Sequence, residues 1–374
     1  MSAHFSFTCT RNFLIWLWNN FMPARYHLPL TYSHLIRLER NTMMIITAVM
    51  TSLMMPLLLV VSAFNTSPQS SSSSVSNRVK SVNYFISREC NYKCKFCFHT
   101  QKNTNKLGIG NAKLGLQLLQ HSGTEKINFA GGEPFLNPQV LGELCQFAHS
   151  ECGMAVSIIS NGSLIKSEWM DRYGQYVDIL GVSVDSFDPA TNALIGRGTG
   201  DTTKNQHVSR VLKVRELCAQ HGILFKMNTV VCSLNHREDM NEYVTTLDPY
   251  RWKAFQCLIL QGENAGGVND LNDARELQVT REEFDAFIQR HSEQSALIPE
   301  PNTVMQNSYL LLDEELRFLD CSENGKIPSQ SILEVGVERA LSQAGFDDDM
   351  FQKRGGIFEW TRDRGDSNDS SILK

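Results

Sequence analysis

Cys90, Cys94 and Cys97 stand in the run CNYKCKFCFHT that occupies residues 90–100. Cysteine thiolates at short fixed spacings hold iron–sulfur clusters, whereas structural zinc wants four ligands, commonly as two close pairs. Three thiolates leave one iron of a four-iron cubane without a protein ligand, and a small molecule can chelate it there. His99 is the one alternative ligand nearby, but it lies two residues past Cys97, closer than the usual zinc knuckle, and no second cysteine pair follows. A disulfide would leave the third cysteine unpaired. Downstream, the apolar run Lys126–Ala130 (KINFA) leads directly into Gly131-Gly132-Glu133-Pro134. Alone, that is an ordinary strand-to-helix turn; beside the cysteine loop it becomes a candidate ligand turn, since glycine lets backbone approach closely.

These residues must be held by elements, and from residue 81 onward the pattern alternates. Short apolar runs at Val82–Ile86, Ile127–Ala130, Val156–Ser160, Ile179–Val184, Leu224–Val231 and Ala254–Leu260 read as strands. Helical periodicity lies between them at Ala112–Leu119, Val140–Ala148 and Val208–Ala219. Repeated strand–helix units predict an α/β fold with a parallel sheet and right-handed crossovers. Periodicity alone does not separate an open sheet from a barrel. The cysteine loop follows the first strand, Gly131 the second and Asn161 the third, while Asp185 ends the fourth, and ligand sites gather at such strand ends.

The spacing CxxxCxφC, with aromatic Phe96 at φ, and the GGEP turn resemble the radical S-adenosylmethionine (SAM) enzymes. Further segments resemble the viperin branch of that superfamily: SVNY at 81–84, EKINFAGGEPFL at 125–136, SNGSLI at 160–165, DSFD at 185–188, LIGRG at 194–198, RWKAFQC at 251–257 and KRGG at 353–356. The resemblance implies a partial (β/α)6 radical SAM barrel over residues 81–298 and a nucleotide-covering extension over 299–362. It implies a [4Fe-4S] cluster on Cys90, Cys94 and Cys97, with SAM held by Gly131, Gly132, Glu133, Asn161, Ser186 and Arg197. Viperins commonly carry serine before the GGEP turn, and here Ala130 stands there. A triphosphate needs several cations in one place, since lysine and arginine neutralise phosphate oxygens. The resemblance assigns Lys126, Lys226, Arg251, Lys253 and Arg354 to that task, with Asn83 as a polar contact and Tyr309 as the proton donor. Taken singly, each basic residue reads as a solvated charge, less so Lys126 and Lys226, which adjoin strand-like apolar runs, and Tyr309 reads equally well as a core tyrosine.

The activity so implied is reductive SAM cleavage, then conversion of a ribonucleoside triphosphate, in animal viperins CTP, to its 3'-deoxy-3',4'-didehydro analogue, an antiviral chain terminator. The implied partners are that nucleotide, an electron donor of reductase or ferredoxin/flavodoxin type, and iron–sulfur assembly machinery. Two rival readings remain: a radical SAM enzyme acting on a non-nucleotide substrate, and a membrane-associated antiviral scaffold.

At 374 residues and net charge −5, the chain offers no basic coat for nucleic acid. Of its ten cysteines the seven outside the triplet are scattered singly, as buried thiols in a reducing compartment would be. Residues 1–65 differ from the rest. Met43–Phe64 is uncharged throughout and long enough to span a bilayer. Together with a serine-rich linker over 66–80, this predicts a membrane leader at the endoplasmic reticulum or lipid droplets, or alternatively a bipartite plastid presequence. Residues 363–374 read as a disordered tail.

Overall fold

The computed structural model describes residues 79–198, 206–322 and 325–363. The chain divides into two compact units, 1–75 and 76–374, and the first lies outside the described residues, as do the expected membrane leader and the expected tail past residue 363. Among the described residues no helix is long and apolar enough to cross a membrane. Val79 and Lys80, at the end of the segment expected as linker, are already part of the fold. Val79 is buried, and the Lys80 carbonyl accepts from the Glu125 and Lys126 amides.

Six strand–helix repeats open the fold. In chain order they are β1 (Ser81–Phe85), α1 (Ile109–His121), β2 (Lys126–Ala130), α2 (Pro138–Ser150), β3 (Ala155–Ser160), α3 (Ser167–Tyr173), β4 (Ile179–Ser183), α4 (Pro189–Ile195), α5 (His207–Gln220), β5 (Leu224–Val231), α6 (Asn241–Leu247) and β6 (Arg251–Gln256). After α7 (Arg281–Arg290) come β7 (Leu297–Glu300), β8 (Leu311–Leu312), β9 (Arg317–Asp320) and β10 (Ile327–Ser331). The sheet order is β10-β9-β8-β1-β2-β3-β4-β5-β6-β7, with β8 and β1 to β7 parallel and β9 and β10 antiparallel. Strands one to seven neighbour each other in sequence order, so the order never reverses as it does in a doubly wound sheet. Such winding puts the helices on one face and curls the other face inward, which is the partial barrel expected.

Alternation along the strands sorts the side chains. Val82, Tyr84, Ile127, Phe129, Val156, Ile158, Leu180 and Val182 are buried with Leu116, Leu119, Leu141, Leu144, Val211 and Leu217 of the helices. The alternate positions Asn83, Asn128, Ser183, Lys226, Asn228 and Lys253 line the interior cleft. Buried polar groups need partners, and a barrel whose inner face is polar is built to receive one. Five expected strands match the observed spans within a residue. The sixth does not: Ala254–Leu260 was expected and Arg251–Gln256 is found. It opens with two inward cations, Arg251 and Lys253, which hid it from an apolar search. β7 crosses the junction drawn at 298–299.

Candidate active site

The cysteine loop follows β1 and is clasped by backbone on its other side. The Lys93 amide donates to the Gly196 carbonyl at 3.3 Å and the Lys95 amide to Ile195 at 2.9 Å. Asn264 and Asn272 donate side-chain N–H groups to the Phe96 and Cys94 carbonyls, each at 3.0 Å. Tyr92 and Phe96 bury themselves beside Ile195 and Leu277 in a small core of their own. The aromatic residue before the last cysteine is thus an anchor for the loop. Gly196 sits at φ +88°, and a Cβ there would overlap the Lys93 carbonyl.

All three thiols face one cleft of about 1220 Å³ together with Gly131, Gly132, Asn161 and Arg197. Burial pushes the three thiols above their ordinary range, Cys94 to about 12, while the Arg197 charge pulls each back. Thiolate ligands bind metal only after losing their protons, so loading this loop releases protons. The donor set is sulfur alone, which suits iron–sulfur chemistry. His99, the possible fourth zinc ligand, has its ring 4.3 Å from Phe85 and its nitrogens facing Lys326 at 3.1 Å and Glu314 at 3.7 Å.

The GGEP turn locks onto the segment preceding Cys90. The Gly132 amide donates to Ser87 and the Glu133 amide to Glu89, both at 2.7 Å, and a Cβ on Gly131 or Gly132 would strike that backbone. Two expected SAM residues are placed differently. Glu133 is absent from the cleft wall; its carboxylate accepts from Phe135 N (3.0 Å), Ser160 Oγ (2.8 Å) and Asn161 N (2.7 Å). It ties β2 to β3, with Ser160 and Asn161 facing the cleft in its stead. Ser186 is fully buried, and its hydroxyl accepts from the Asp188 amide at 2.9 Å. Alternation from Ser183 sends Asp185 inward and Ser186 outward, and Ser183 and Asp185 are the lining residues. Asp185 grips Arg197 through Nη2 at 2.5 Å and Nε at 2.6 Å, fixing a guanidinium beside the cysteines. Ala130 lines the cleft as a methyl.

Deeper in the barrel lies the cation set. Lys126, Lys226 and Arg251 stand at or near the starts of their strands, the end opposite to the cysteines. Lys253 follows inward on β6, and Arg354 enters from the last described segment to donate to the Ser308 carbonyl at 2.8 Å. Burial first, then mutual repulsion, depresses Lys126 well below the usual lysine range and brings Lys226 down to about 8. Among the described residues Glu300, fully buried, pairs with Lys253 and stands 3.7 Å from Arg354. Tyr309 joins this group, its hydroxyl accepting from Lys253 Nζ at 2.8 Å under the Arg354 guanidinium, 3.7 Å from the ring centre. Burial raises its phenol well above the ordinary value. Asn83 lines the cleft and accepts from Asn128 Nδ2 at 2.7 Å. Glu300 Oε2, Arg251 Nε and the side-chain oxygens of Asn128 and Asn228 are buried without a hydrogen-bond partner. Phe358 and Trp360 close this end over Lys126, at 4.7 and 5.6 Å.

Sequence reading missed Ser183, Asn128, Asn228 and Glu300. Asn128 and Asn228 were recoverable from alternation, since they share strand faces with the assigned Lys126 and Lys226, whereas Ser183 shares its face with Asp185, which was not assigned. Glu300 gave no signal, being one acid in a short strand.

A family profile described as the radical SAM superfamily matches residues 84–247. The chain is 50% identical over 285 residues to "S-adenosylmethionine-dependent nucleotide dehydratase RSAD2" of Oncorhynchus mykiss, covering 75% of this chain and 81% of the relative. It is 34% identical to "S-adenosylmethionine-dependent nucleotide dehydratase" of Flammeovirga pacifica over 293 residues, 76% and 97% of the two chains. Among solved structures, "Crystal structure of Streptococcus suis SuiB bound to S-adenosylmethionine" superposes with a TM-score of 0.51 at 16% identity, covering 74% of this chain and 67% of that one, a likeness of fold. With its cysteine loop, glycine turn and singly wound barrel, the chain belongs to the S-adenosylmethionine-dependent nucleotide dehydratases, the viperin branch of the radical SAM superfamily.

Proposed function

We propose that the chain dehydrates a ribonucleoside triphosphate, CTP being the expected base, to its 3'-deoxy-3',4'-didehydro analogue. One observation carries the choice of a triphosphate: among the described residues five buried or half-buried basic side chains crowd the closed end of the barrel, and Glu300 is ion-paired with two of them, Lys253 and Arg354. Unpaired buried charge is costly, so such a set calls for a polyanion. The phosphates occupy the closed end of the barrel among Lys126, Lys226, Arg251, Lys253 and Arg354, which directs the ribose toward the cysteine end. The cluster and SAM, when bound, supply a carbon radical able to take a hydrogen atom. The protein holds C4' against that end and excludes water. In this reading Tyr309, whose hydroxyl accepts from Lys253, returns the proton; the hydrogen bond is what supports the role.

The test is anaerobic incubation of the reconstituted protein with SAM, dithionite and the four ribonucleoside triphosphates, followed by mass spectrometry. A 5'-deoxyadenosine signal with one triphosphate lighter by water supports the reading and names the base. SAM cleavage with every triphosphate unchanged sinks it.

A pH dependence follows. Lys226, held near 8 in the empty barrel, loses its charge above that pH, and bound phosphate favours the charged form. Triphosphate affinity, measured by calorimetry, therefore falls as pH rises through about 8, with proton uptake on binding. The empty protein shows the opposite sign. Its lysine is depressed from 10.5, the unfolded chain binds more protons between those values, and stability rises with pH across that window.

We further propose that residues 1–65 direct the enzyme to the endoplasmic reticulum or lipid droplets, with the catalytic unit in a reducing compartment. An electron donor and iron–sulfur assembly machinery complete the proposed partners.

A further inference from the structure

A second buried ionic cluster lies beside the cysteine loop, with Arg88, His99 and Thr100 on the wall of the same cleft, and the reaction described above makes no use of it. Arg88, just after β1, donates through Nε to Glu314 at 2.8 Å and through Nη1 to Glu263 at 3.0 Å. Glu263 also accepts from the Thr100 amide at 2.8 Å and hydroxyl at 2.6 Å. Into this cluster the C-terminal extension inserts Lys326, whose side chain is only 5% exposed. Its ammonium donates to the Phe98 carbonyl, lies 3.3 Å from Glu263 and approaches His99 Nδ1 at 3.1 Å. Because Nδ1 accepts from an ammonium, the imidazole proton sits on Nε2. That nitrogen and Glu314 Oε2, both buried and lacking a hydrogen bond, face each other at 3.7 Å.

The cluster is thus built around the two residues that follow Cys97. Lys326 donates to the carbonyl of Phe98, the residue next to Cys97, so its charge is held beside the loop that would carry the cluster, at a depth where solvent screens little.

We propose that Lys326 and Glu263 set the reduction potential of the cluster held by Cys90, Cys94 and Cys97, with Lys326 acting as a positioning residue for the Cys97 end of the loop. A fixed cation stabilises the reduced, more negative cluster, and a fixed carboxylate opposes it. The inference rests on the family's cluster being bound at this loop.

Potentiometric titration of the reconstituted protein, followed by the electron paramagnetic resonance signal of the reduced cluster, tests it without recourse to turnover. Lys326→Met lowers the reduction equilibrium constant about tenfold, a shift of ~59 mV to more negative potential for one electron. Glu263→Gln shifts the midpoint to the positive side, and Lys326→Arg stays near wild type. Loosening of the loop would move both neutralising variants alike, so opposite signs identify the charge. Should Lys326→Met fail to retain iron, the positive shift of Glu263→Gln still decides. Midpoints that coincide with wild type, or that move to the same side, overturn the proposal. A wild-type protein with no reduced-cluster signal removes the cluster assignment itself.

Discussion

Gly196→Ala strips the protein of its cluster: after reconstitution the variant holds less than about a tenth of the wild-type iron and does not cleave SAM. Gly196 sits at φ +88°, where any L-residue is strained by roughly 1–2 kcal/mol. That cost alone would leave the fold standing. The larger effect is local, because the new methyl falls on the Lys93 carbonyl, between the first two cysteines. The loop must move away, and the Lys93–Gly196 and Lys95–Ile195 hydrogen bonds go with it. Gly153→Ala separates the two causes. Gly153 also has positive φ, +63°, yet nothing lies within 4 Å of its Cβ position. That variant loses a little thermal stability and keeps its iron. Equal iron in Gly196→Ala and wild type would show that the glycine does not shape the loop.

The second large effect has two opposite signs. Lys226→Met weakens triphosphate binding at least tenfold, since a charge-assisted hydrogen bond is worth about 1.5–3 kcal/mol and about 1.4 kcal/mol is a factor of ten. The same variant, without nucleotide, melts several degrees higher. In the empty barrel Lys226 is desolvated and repelled by Arg251 and Arg354, so removing its charge relieves the fold. Binding calorimetry and thermal melts of one preparation check both halves. If the variant loses affinity and stability together, the lysine is a structural prop and not a charge held ready for phosphate.

How much of this was legible in the residues depends on the kind of signal each leaves. The cysteine loop and the glycine turn announce themselves because their chemistry needs fixed spacing, and the structure joins them by hydrogen bonds from Gly132 and Glu133 to the 87–89 segment. The cation set was named only through resemblance. Lys226 stands inside an expected strand, yet only the β5–β6 register places it beside Arg251. For Glu133 and Ser186 a motif names the residue type and the structure adds the partners of its side chain. Glu133 serves the joint between β2 and β3, and Ser186 falls on the outward side of an alternation. Lys326 left no trace at all, since its meaning depends on a contact with Phe98, 228 residues away along the chain. Non-local pairings are what a one-dimensional reading loses first.

The crowding of Lys126, Lys226, Arg251, Lys253 and Arg354 around Glu300 also bears on how long each molecule survives in a cell. A ligand that binds only the folded chain stabilises it by mass action, about 2.7 kcal/mol at about a hundred times its dissociation constant. Degradation follows the fraction of molecules that open. A barrel whose buried cations outnumber the carboxylate set among them is therefore best protected from proteases where a polyanion that fits it is plentiful, and the abundance of the protein follows that supply.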